Sequence, residues 1–231
     1  MTEKEKRDRD NKDSLIGLAQ GEIVQRHGEA SSQILQAYKG IRVDHNGHLE
    51  DFHGRDLKQI SDYKLGDNPD VSRKQQSGFS AELIKESRDN KQAIINGESN
   101  RTRTTDGIGK TNDTQYDHVI VDETGNVQEG SGSQMKFLKS HTMKNGQTKY
   151  NVIDKMAKDT SWDRYDGPID IPSDQYEGAV RYAKEEAEKL EKQAAALREQ
   201  GNIEKAQEIE EKGYKIFENS EYQISEEKIH E

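Results

Sequence analysis

Large aliphatic and aromatic side chains are scarce in this chain, and this scarcity limits its fold more than any other feature of the sequence. Leu, Ile, Val and Phe together make up about 17% of the 231 residues, below the ~20% under which disorder becomes an alternative to folding. Charged residues make up 35%. The chain can therefore bury one small core with a helical appendage, and a large hydrophobic enzyme interior is excluded.

The distribution of charge separates the middle of the chain from its ends. The formal net charge is −10, yet residues 73–158 carry an excess of three positive charges. The overall acidity argues against a protein that coats nucleic acid through bulk charge, because affinity for phosphate depends on Lys and Arg. A local basic groove in the middle segment is still compatible with the sequence.

The sequence lacks the features of proteins that depend on cysteine, of membrane-spanning proteins and of proteins with a secretory signal. The chain contains no Cys, which removes disulfides, thiolate zinc sites and cysteine nucleophiles. No segment approaches the ~18–20 apolar residues that cross a bilayer, and residues 1–13 are charged where a secretory signal is apolar. We therefore expect a cytoplasmic protein that has no membrane partner.

The N-terminal region is expected to form a tail followed by helices and a hairpin. Residues 1–13 carry almost no apolar side chains and are expected to be disordered. Residues 14–74 begin with a helical apolar spacing, in which His27-Gly28 predicts a break between two helices. Asn46-Gly47 predicts the turn of a β-hairpin, and residues 56–63 predict a short helix.

The segment over residues 75–175 changes from helical to strand periodicity, and we expect it to form the α/β part of the fold. A change of period from 3.6 to 2 residues is typical of a helix followed by strands. The expected elements are, in order, a helix over residues 77–96, extended runs over 116–122 and 127–138, a helix over 150–158 and a short strand over 168–172.

The C-terminal segment, residues 176–231, predicts an α-helical hairpin. A long charged helix is expected to begin after Ser173 as its N-cap, with one apolar stripe along it. Gly201-Asn202 predicts the break before a second helix that continues the stripe. The stripe is expected to serve either ordinary packing or the docking of a protein partner, and the acidity of the segment argues against contact with DNA.

Four side chains and the order of elements in the middle segment resemble one nuclease superfamily. Glu82 lies on the first helix, Asp117 opens the first strand-like run, and Gln134-Met135-Lys136 lies in the second. This pattern resembles the PD-(D/E)XK (restriction-endonuclease-like) superfamily in its QxK variant. The resemblance implies an αβββαβ core with a mixed sheet over about residues 75–175, flanked by the N-terminal helices with their hairpin and by the C-terminal helical hairpin.

The resemblance implies that these residues form a catalytic site for a divalent metal, Mg²⁺ or Mn²⁺. Glu82 and Asp117 would bind or position the ion, Gln134 and the Met135 carbonyl would add oxygen ligands, and Lys136 would orient the attacking water. Mg²⁺ in proteins is held by one or two carboxylates with waters and substrate oxygens, so two acids suffice. Most members of the superfamily have an acidic residue at the position of Gln134. The glutamine adds no negative charge, and this affects the affinity for metal ions or the number that bind.

The implied activity is that of a metal-dependent endonuclease that hydrolyses DNA, in phage defence or in interbacterial or mobile-element conflict. Basic residues on both sides of the site are expected to contact phosphates. These are Arg101, Arg103, Lys110 and Lys139. A homodimer is compatible with the small size, because one metal site cuts one strand. Two alternatives stay open: an RNA (tRNA) nuclease toxin of the same fold, and a non-catalytic protein-interaction module.

Overall fold

The chain forms a mixed α/β structure with small sheets, seen in a computed structural model that describes residues 22–165, 167–222 and 224–227. It divides into two compact units. Unit 1 comprises the chain up to Thr111 together with residues 120–128, and unit 2 comprises residues 112–119 and everything from Glu129 onward. The α/β class expected from the sequence is confirmed, and the tail expected at residues 1–13 lies outside the described residues.

Unit 1 is built from helices, one hairpin and one further strand. The described elements are helix α1 over residues 22–39, strands β1 (Arg42–Val43) and β2 (Leu49–Glu50), helices α2 (Leu57–Asp62) and α3 (Pro69–Asn96), and strand β3 (Arg101–Thr104). Strand β4 (His118–Val121) pairs with β3 in a two-stranded sheet, and its last two residues belong to unit 1.

The local sequence signals in unit 1 account for most of these boundaries. Val43 pairs with Leu49 across the predicted hairpin, and Gly47 adopts a φ of +85° that its turn requires. Asp56 caps α2 in a reciprocal capping box with Gln59. The predicted hairpin and short helix are both confirmed.

Two helix boundaries in unit 1 differ from the prediction. Helix α3 begins at Pro69, eight residues before the predicted start, because Asn68 caps it and Pro69 fits the first helical position. Helix α1 continues through Gly28, so the predicted break at His27-Gly28 is wrong. A glycine inside a helix costs about 1 kcal/mol relative to alanine but does not by itself end the helix.

The interior of unit 1 contains a cluster of buried charges between α3, β3 and the hairpin. The Arg42 guanidinium donates to the Glu86 carboxylate and to the Thr104 hydroxyl, the latter at 3.0 Å. Glu86 also accepts a bond of 2.8 Å from the Thr104 main-chain N–H. Arg103 pairs with Glu50, and its other terminal nitrogen lies 3.9 Å from Glu86. Charge pairing therefore joins the hairpin, the long helix and strand β3.

Unit 2 contains the remaining strands and helices. The described elements are strands β5 (Gln134–Met135), β6 (Ser140–Thr142) and β7 (Thr148–Tyr150), helix α4 (Asn151–Lys158), strand β8 (Ile169–Pro172), helices α5 (Ser173–Glu199) and α6 (Ile203–Tyr222), and strand β9 (Ile224–Glu227). Strand β8 lies between β5 and β9 and is parallel to both, whereas β6 and β7 form an antiparallel hairpin.

An apolar cluster forms the core of unit 2. It joins α4, β8, α5 and α6, and its members are Val152, Ile153, Met156, Tyr165, Ile169, Ile171, Ala179, Tyr182, Ala183 and Ile216. Burial and the neighbouring Asp154 raise the pKa of the Tyr182 hydroxyl, which lies 3.3 Å from that carboxylate. Most of the large apolar side chains that this polar sequence can bury are thus concentrated here.

Several predictions for unit 2 are confirmed, and two are corrected. Helix α4, strand β8 and the helical hairpin broken at Gly201 lie where the sequence predicted them. Ser173 is the first helical residue rather than the cap. The extended run predicted over 127–138 is reduced to a bridge at Val127 and the short strand β5, because the chain turns at Gly130 with a φ of +72°.

Within the described residues, every helix is too short or too polar to cross a bilayer.

Candidate functional site

The candidate site lies in unit 2, where the start of β4 meets the start of β5. The main-chain N–H of Asp117 donates to the Ser133 carbonyl at 2.8 Å. His118 and Ser133 form an antiparallel bridge, with bonds of 3.0 and 2.9 Å in the two directions. Asp117 is therefore held directly beside the residues that begin β5.

The Asp117 carboxylate is anchored to β5 through one of its oxygens. Oδ2 accepts a 2.8 Å bond from the main-chain N–H of Met135, and it also accepts from the side-chain amide of Gln134. The Gln134 side chain is only 5% exposed. Three of the residues expected in the site are thus in direct contact.

Lys136 follows on the same strand, and its ammonium lies against an aromatic ring. Its main-chain N–H donates to the Asp170 carbonyl of β8 at 2.9 Å, which fixes the strand pairing. Its Nζ lies 5.0 Å from the centroid of the Tyr165 ring, within the range of a cation–π contact. The lysine is therefore half-buried at the edge of the apolar core.

The oxygen atoms around Asp117 fit a Mg²⁺ ion in part. In an extended strand the N–H and C=O of one residue point to the same side, so the Met135 carbonyl faces the side on which Asp117 lies. Gln134, in contrast, directs its amide nitrogen at the carboxylate, and a metal-binding role requires this amide to turn over. The described residues contain no group of three or more His, Asp or Glu side chains that could hold a metal. An ion here would depend on one carboxylate, peptide or amide oxygens and water.

Asp170 is a second acid near this strand that the sequence pattern did not single out. It is 4% exposed, it pairs in register with Met135, and its carboxylate accepts a 2.9 Å bond from the Ser133 hydroxyl. The sequence feature that could have identified Asp170 is an acidic residue inside a short apolar strand between two prolines. A buried carboxylate on the neighbouring strand makes Asp170 a positioning group for the segment that carries Gln134.

Glu82, the acid expected from the helix, belongs to unit 1. It lies on α3 and lines a small cavity of about 20 Å³ with Arg55, Phe79 and Asp106. Asp117, Gln134 and Lys136 all belong to unit 2. Unit 2 alone therefore holds the strand acid, the glutamine and the lysine of the expected site, without the helix acid.

Two of the four residues expected to contact phosphates are buried inside unit 1. Arg103 is 3% exposed and bonds to Glu50 and, at 3.2 Å, to the Val43 carbonyl. Arg101 is 8% exposed, donates to the carbonyls of Glu98 and Asn100, and has its pKa lowered chiefly by burial. The expectation that Arg101 and Arg103 contact phosphates is therefore wrong, because both side chains are buried and bonded to other groups of unit 1.

Lys110 and Lys139, the other two residues expected to contact phosphates, are exposed. Lys110 follows a short 3₁₀-helix in unit 1, and Lys139 directly precedes β6 in unit 2. Only these two of the four keep a side chain that solvent, and hence a nucleic acid, can reach.

Comparisons with known proteins do not assign the chain to a family. No family model matches it, and no curated protein and no solved structure is significantly similar to it. Its function is therefore inferred from the geometry of the site.

Proposed function

We propose that the protein is a metal-dependent endonuclease that hydrolyses DNA phosphodiester bonds at the site around Asp117. One observation carries the proposal: the Asp117 carboxylate is bonded to Gln134 and Met135, the two residues that directly precede Lys136. An acid is thereby joined to an amide 17 residues further along the chain, on the strand that continues into the lysine. This is the combination expected of a QxK nuclease site.

The order of elements along the chain supports a restriction-endonuclease-like core. Helix α3 is followed by β3, β4 and β5, then by α4 and β8, which is the sequence helix, three strands, helix, strand. β8 is parallel to β5, as expected when a helix connects two strands of one sheet. The hairpin β6–β7 is an insertion between β5 and α4.

The proposed reaction is a direct attack of water on phosphorus. The new P–O bond forms as the bond to the leaving sugar oxygen breaks. A proton passes from the attacking water to solvent, and the leaving oxygen takes up a proton from solvent to become a hydroxyl. A divalent ion, when bound, lowers the pKa of the water and offsets charge on the phosphorane. Asp117 and the Met135 carbonyl would hold it, while Lys136 would orient the water and neutralise a phosphate oxygen.

A cleavage assay with matched variants tests the proposal. Purified protein is incubated with plasmid DNA and with total RNA, in the presence and absence of Mg²⁺. We expect Mg²⁺-dependent cleavage of the plasmid that is abolished in Asp117→Ala and Lys136→Ala and kept in Asp122→Ala. Asp122 is the control because it lies at the end of the same strand and caps an exposed turn. Cleavage that both site variants retain would reject the site.

A non-catalytic module with the same fold is the second candidate. One observation favours it: the Asp117 oxygen that bonds to β5 already accepts two hydrogen bonds, a role that a structural aspartate also performs. The same assay separates the candidates, since the module cuts neither substrate under any metal condition. Cleavage of total RNA alone, abolished in the two site variants, would instead identify an RNA nuclease.

A further inference from the structure

The hairpin β6–β7 is a basic element of unit 2 whose first strand and turn are exposed. No Asp or Glu occurs between Glu129 and Asp154, while Lys136, Lys139, Lys144 and Lys149 all lie in this interval. Every residue from Lys139 to Gly146 is exposed. An uninterrupted positive segment is therefore presented to solvent in a protein whose net charge is −10.

The hairpin is well defined by its own backbone pairing. His141 pairs with Lys149, and Thr142 pairs with Thr148, whose hydroxyl lies 3.3 Å from the Thr142 hydroxyl. Gly146 adopts a φ of +81°, which the tight turn requires. The Asn151 side chain donates to the Lys139 carbonyl at 2.6 Å and holds the base of the hairpin. The strands therefore present fixed faces.

The strand pairing sorts the side chains into a basic face and a neutral face. Because residues alternate along a strand, Lys139, His141 and Lys149 share one face, and Thr142 and Thr148 share the other. Lys149 is paired with Asp154, which secures the hairpin to α4. No ion pair joins Lys139 or Lys144 to an acidic side chain in the described part of the chain. These two lysines are therefore available to a ligand.

We propose that this hairpin binds duplex DNA by entering the major groove, with Lys139 and Lys144 contacting backbone phosphates. The proposal rests on the proposed function and names the form of its substrate. A two-stranded β-ribbon fits the major groove of B-form DNA, whereas the major groove of A-form RNA is too deep and narrow for side chains to read. The hairpin follows Lys136 directly, so DNA held by it lies near the strand that carries the site.

The polar side chains of strand β6 and of the turn region are compatible with this partner. His141, Asn145 and Gln147 can donate or accept hydrogen bonds at base edges. Lysines that bind phosphate release condensed counterions, so each such lysine adds a defined increment to the salt dependence of binding. The contribution of the hairpin can therefore be measured independently of any cleavage.

The test measures binding of a short labelled DNA duplex to the full-length protein by fluorescence anisotropy, without Mg²⁺ and over a series of salt concentrations. The hairpin variant carries Lys139→Gln and Lys144→Gln. The control variant carries Lys192→Gln and Lys205→Gln, which removes the same charge from exposed positions of α5 and α6. Circular dichroism checks that both variants fold.

We expect the hairpin variant to bind about tenfold more weakly. The slope of log affinity against log salt should fall by about 2, since each phosphate that a lysine no longer neutralises accounts for roughly 0.9. The control variant should bind as the wild type does. An RNA duplex of the same sequence should bind more weakly than the DNA, and polyglutamate should not compete.

Equal affinity and slope in the hairpin variant and the wild type would overturn the proposal, as would preferential binding of RNA or polyglutamate. The outcomes also separate this proposal from the proposed function. DNA binding that depends on the hairpin, in a protein that cuts no nucleic acid with Mg²⁺, would reject the nuclease and retain the groove-binding hairpin. Mg²⁺-dependent cleavage that requires Asp117 and Lys136, with unchanged binding by the hairpin variant, would retain the nuclease and reject the hairpin.

Discussion

Unit 1 and unit 2 use different chemistry to join their elements. In unit 1 the long helix α3 is joined to β3 and to the β1–β2 hairpin largely through buried polar groups, among them Arg42, Glu86, Asn90 and Arg103. In unit 2 helices and strand β8 surround a contiguous apolar cluster, and the lysines of the hairpin stay in solvent. Most of the few large apolar residues that are buried lie in unit 2. The elements of unit 1 are held together largely by buried ion pairs.

This difference determines which basic residues can bind a ligand. A buried arginine must keep its carboxylate partner, because an uncompensated buried charge costs several kcal/mol. Arg42 and Arg103 are therefore committed to Glu86 and Glu50. Because unit 2 derives its core from apolar packing, its exposed lysines can serve a ligand without loss of stability.

The largest expected effect is that of removing the buried carboxylate in unit 1. Glu86→Gln should lower the free energy of unfolding of unit 1 by about 3–5 kcal/mol, because it leaves two buried guanidinium groups with one fewer counter-charge. Hydrogen exchange of peptides from α3 and β3 measures the effect. The control is Glu208→Gln, which breaks an exposed pair with Lys212 and should leave exchange unchanged. Equal protection in both variants would contradict the buried cluster.

Removing one neutral polar group in unit 1 should have a smaller effect. The Asn90 amide donates to the Thr102 carbonyl at 3.1 Å and accepts from its N–H at 2.8 Å, so it pairs with β3 as a neighbouring strand would. Asn90→Ala should cost about 1–3 kcal/mol by leaving main-chain groups without partners. Urea denaturation measures this cost, with the exposed Gln92→Ala as control. A destabilisation no greater than that of the control would show that Asn90 does not hold the strand.

A conservative change of volume should affect unit 2. Ile171→Val removes one methyl group from the apolar cluster and should cost about 0.5–1.5 kcal/mol. Trp162, the single tryptophan, packs against this cluster, so its fluorescence reports the unfolding of unit 2. Ile203→Val is the control because Ile203 is exposed. If the two variants unfold at the same urea concentration, the cluster is not the core of the unit.

The smallest expected effect concerns a half-buried charge in unit 2 and depends on pH. The Ser161 hydroxyl, followed by Lys155 and the Ser161 main chain, lowers the pKa of Asp159 to about 2. Since the folded-state pKa lies below the unfolded value, the stabilisation is present above about pH 4 and disappears as the pH falls towards 2.

Wild type and Asp159→Asn should therefore differ in stability near neutral pH and converge in acid. Urea midpoints measured between neutral pH and pH 2 test this convergence. A constant difference across the range would show that the carboxylate charge is not what stabilises this turn.

Sequence patterns predicted the apolar and turn-based elements better than the polar ones. The Asn46-Gly47 turn, α4, β8 and the helical hairpin follow from local signals that operate within a few residues. Strand β3 (Arg101–Thr104) was not predicted, because its residues alternate between Arg and Thr and carry no apolar periodicity. Its position depends on contacts with Asn90 and Glu86, which no local pattern reveals.

In the candidate site, too, contacts made by tertiary packing were not predicted from the sequence. The family resemblance implied that Asp117 and Gln134 would share one site, and the two side chains are in contact. The Tyr165 ring beneath Lys136 and the buried Asp170 beside Met135 depend on the packing of β8, which lies more than thirty residues further along the chain. Motif spacing carries no information on such partners, because they are set by tertiary packing.

Binding of a divalent ion by Asp117 is the central claim, and titration of Mn²⁺ followed by electron paramagnetic resonance tests it most directly. The measurement compares wild type, Asp117→Asn and the control Asp122→Asn in the absence of nucleic acid, with circular dichroism as a check on folding. We predict that Mn²⁺ binds to the wild type and the control and that Asp117→Asn binds it at least tenfold more weakly. Equal Mn²⁺ binding by all three proteins, or binding by none, would contradict the claim.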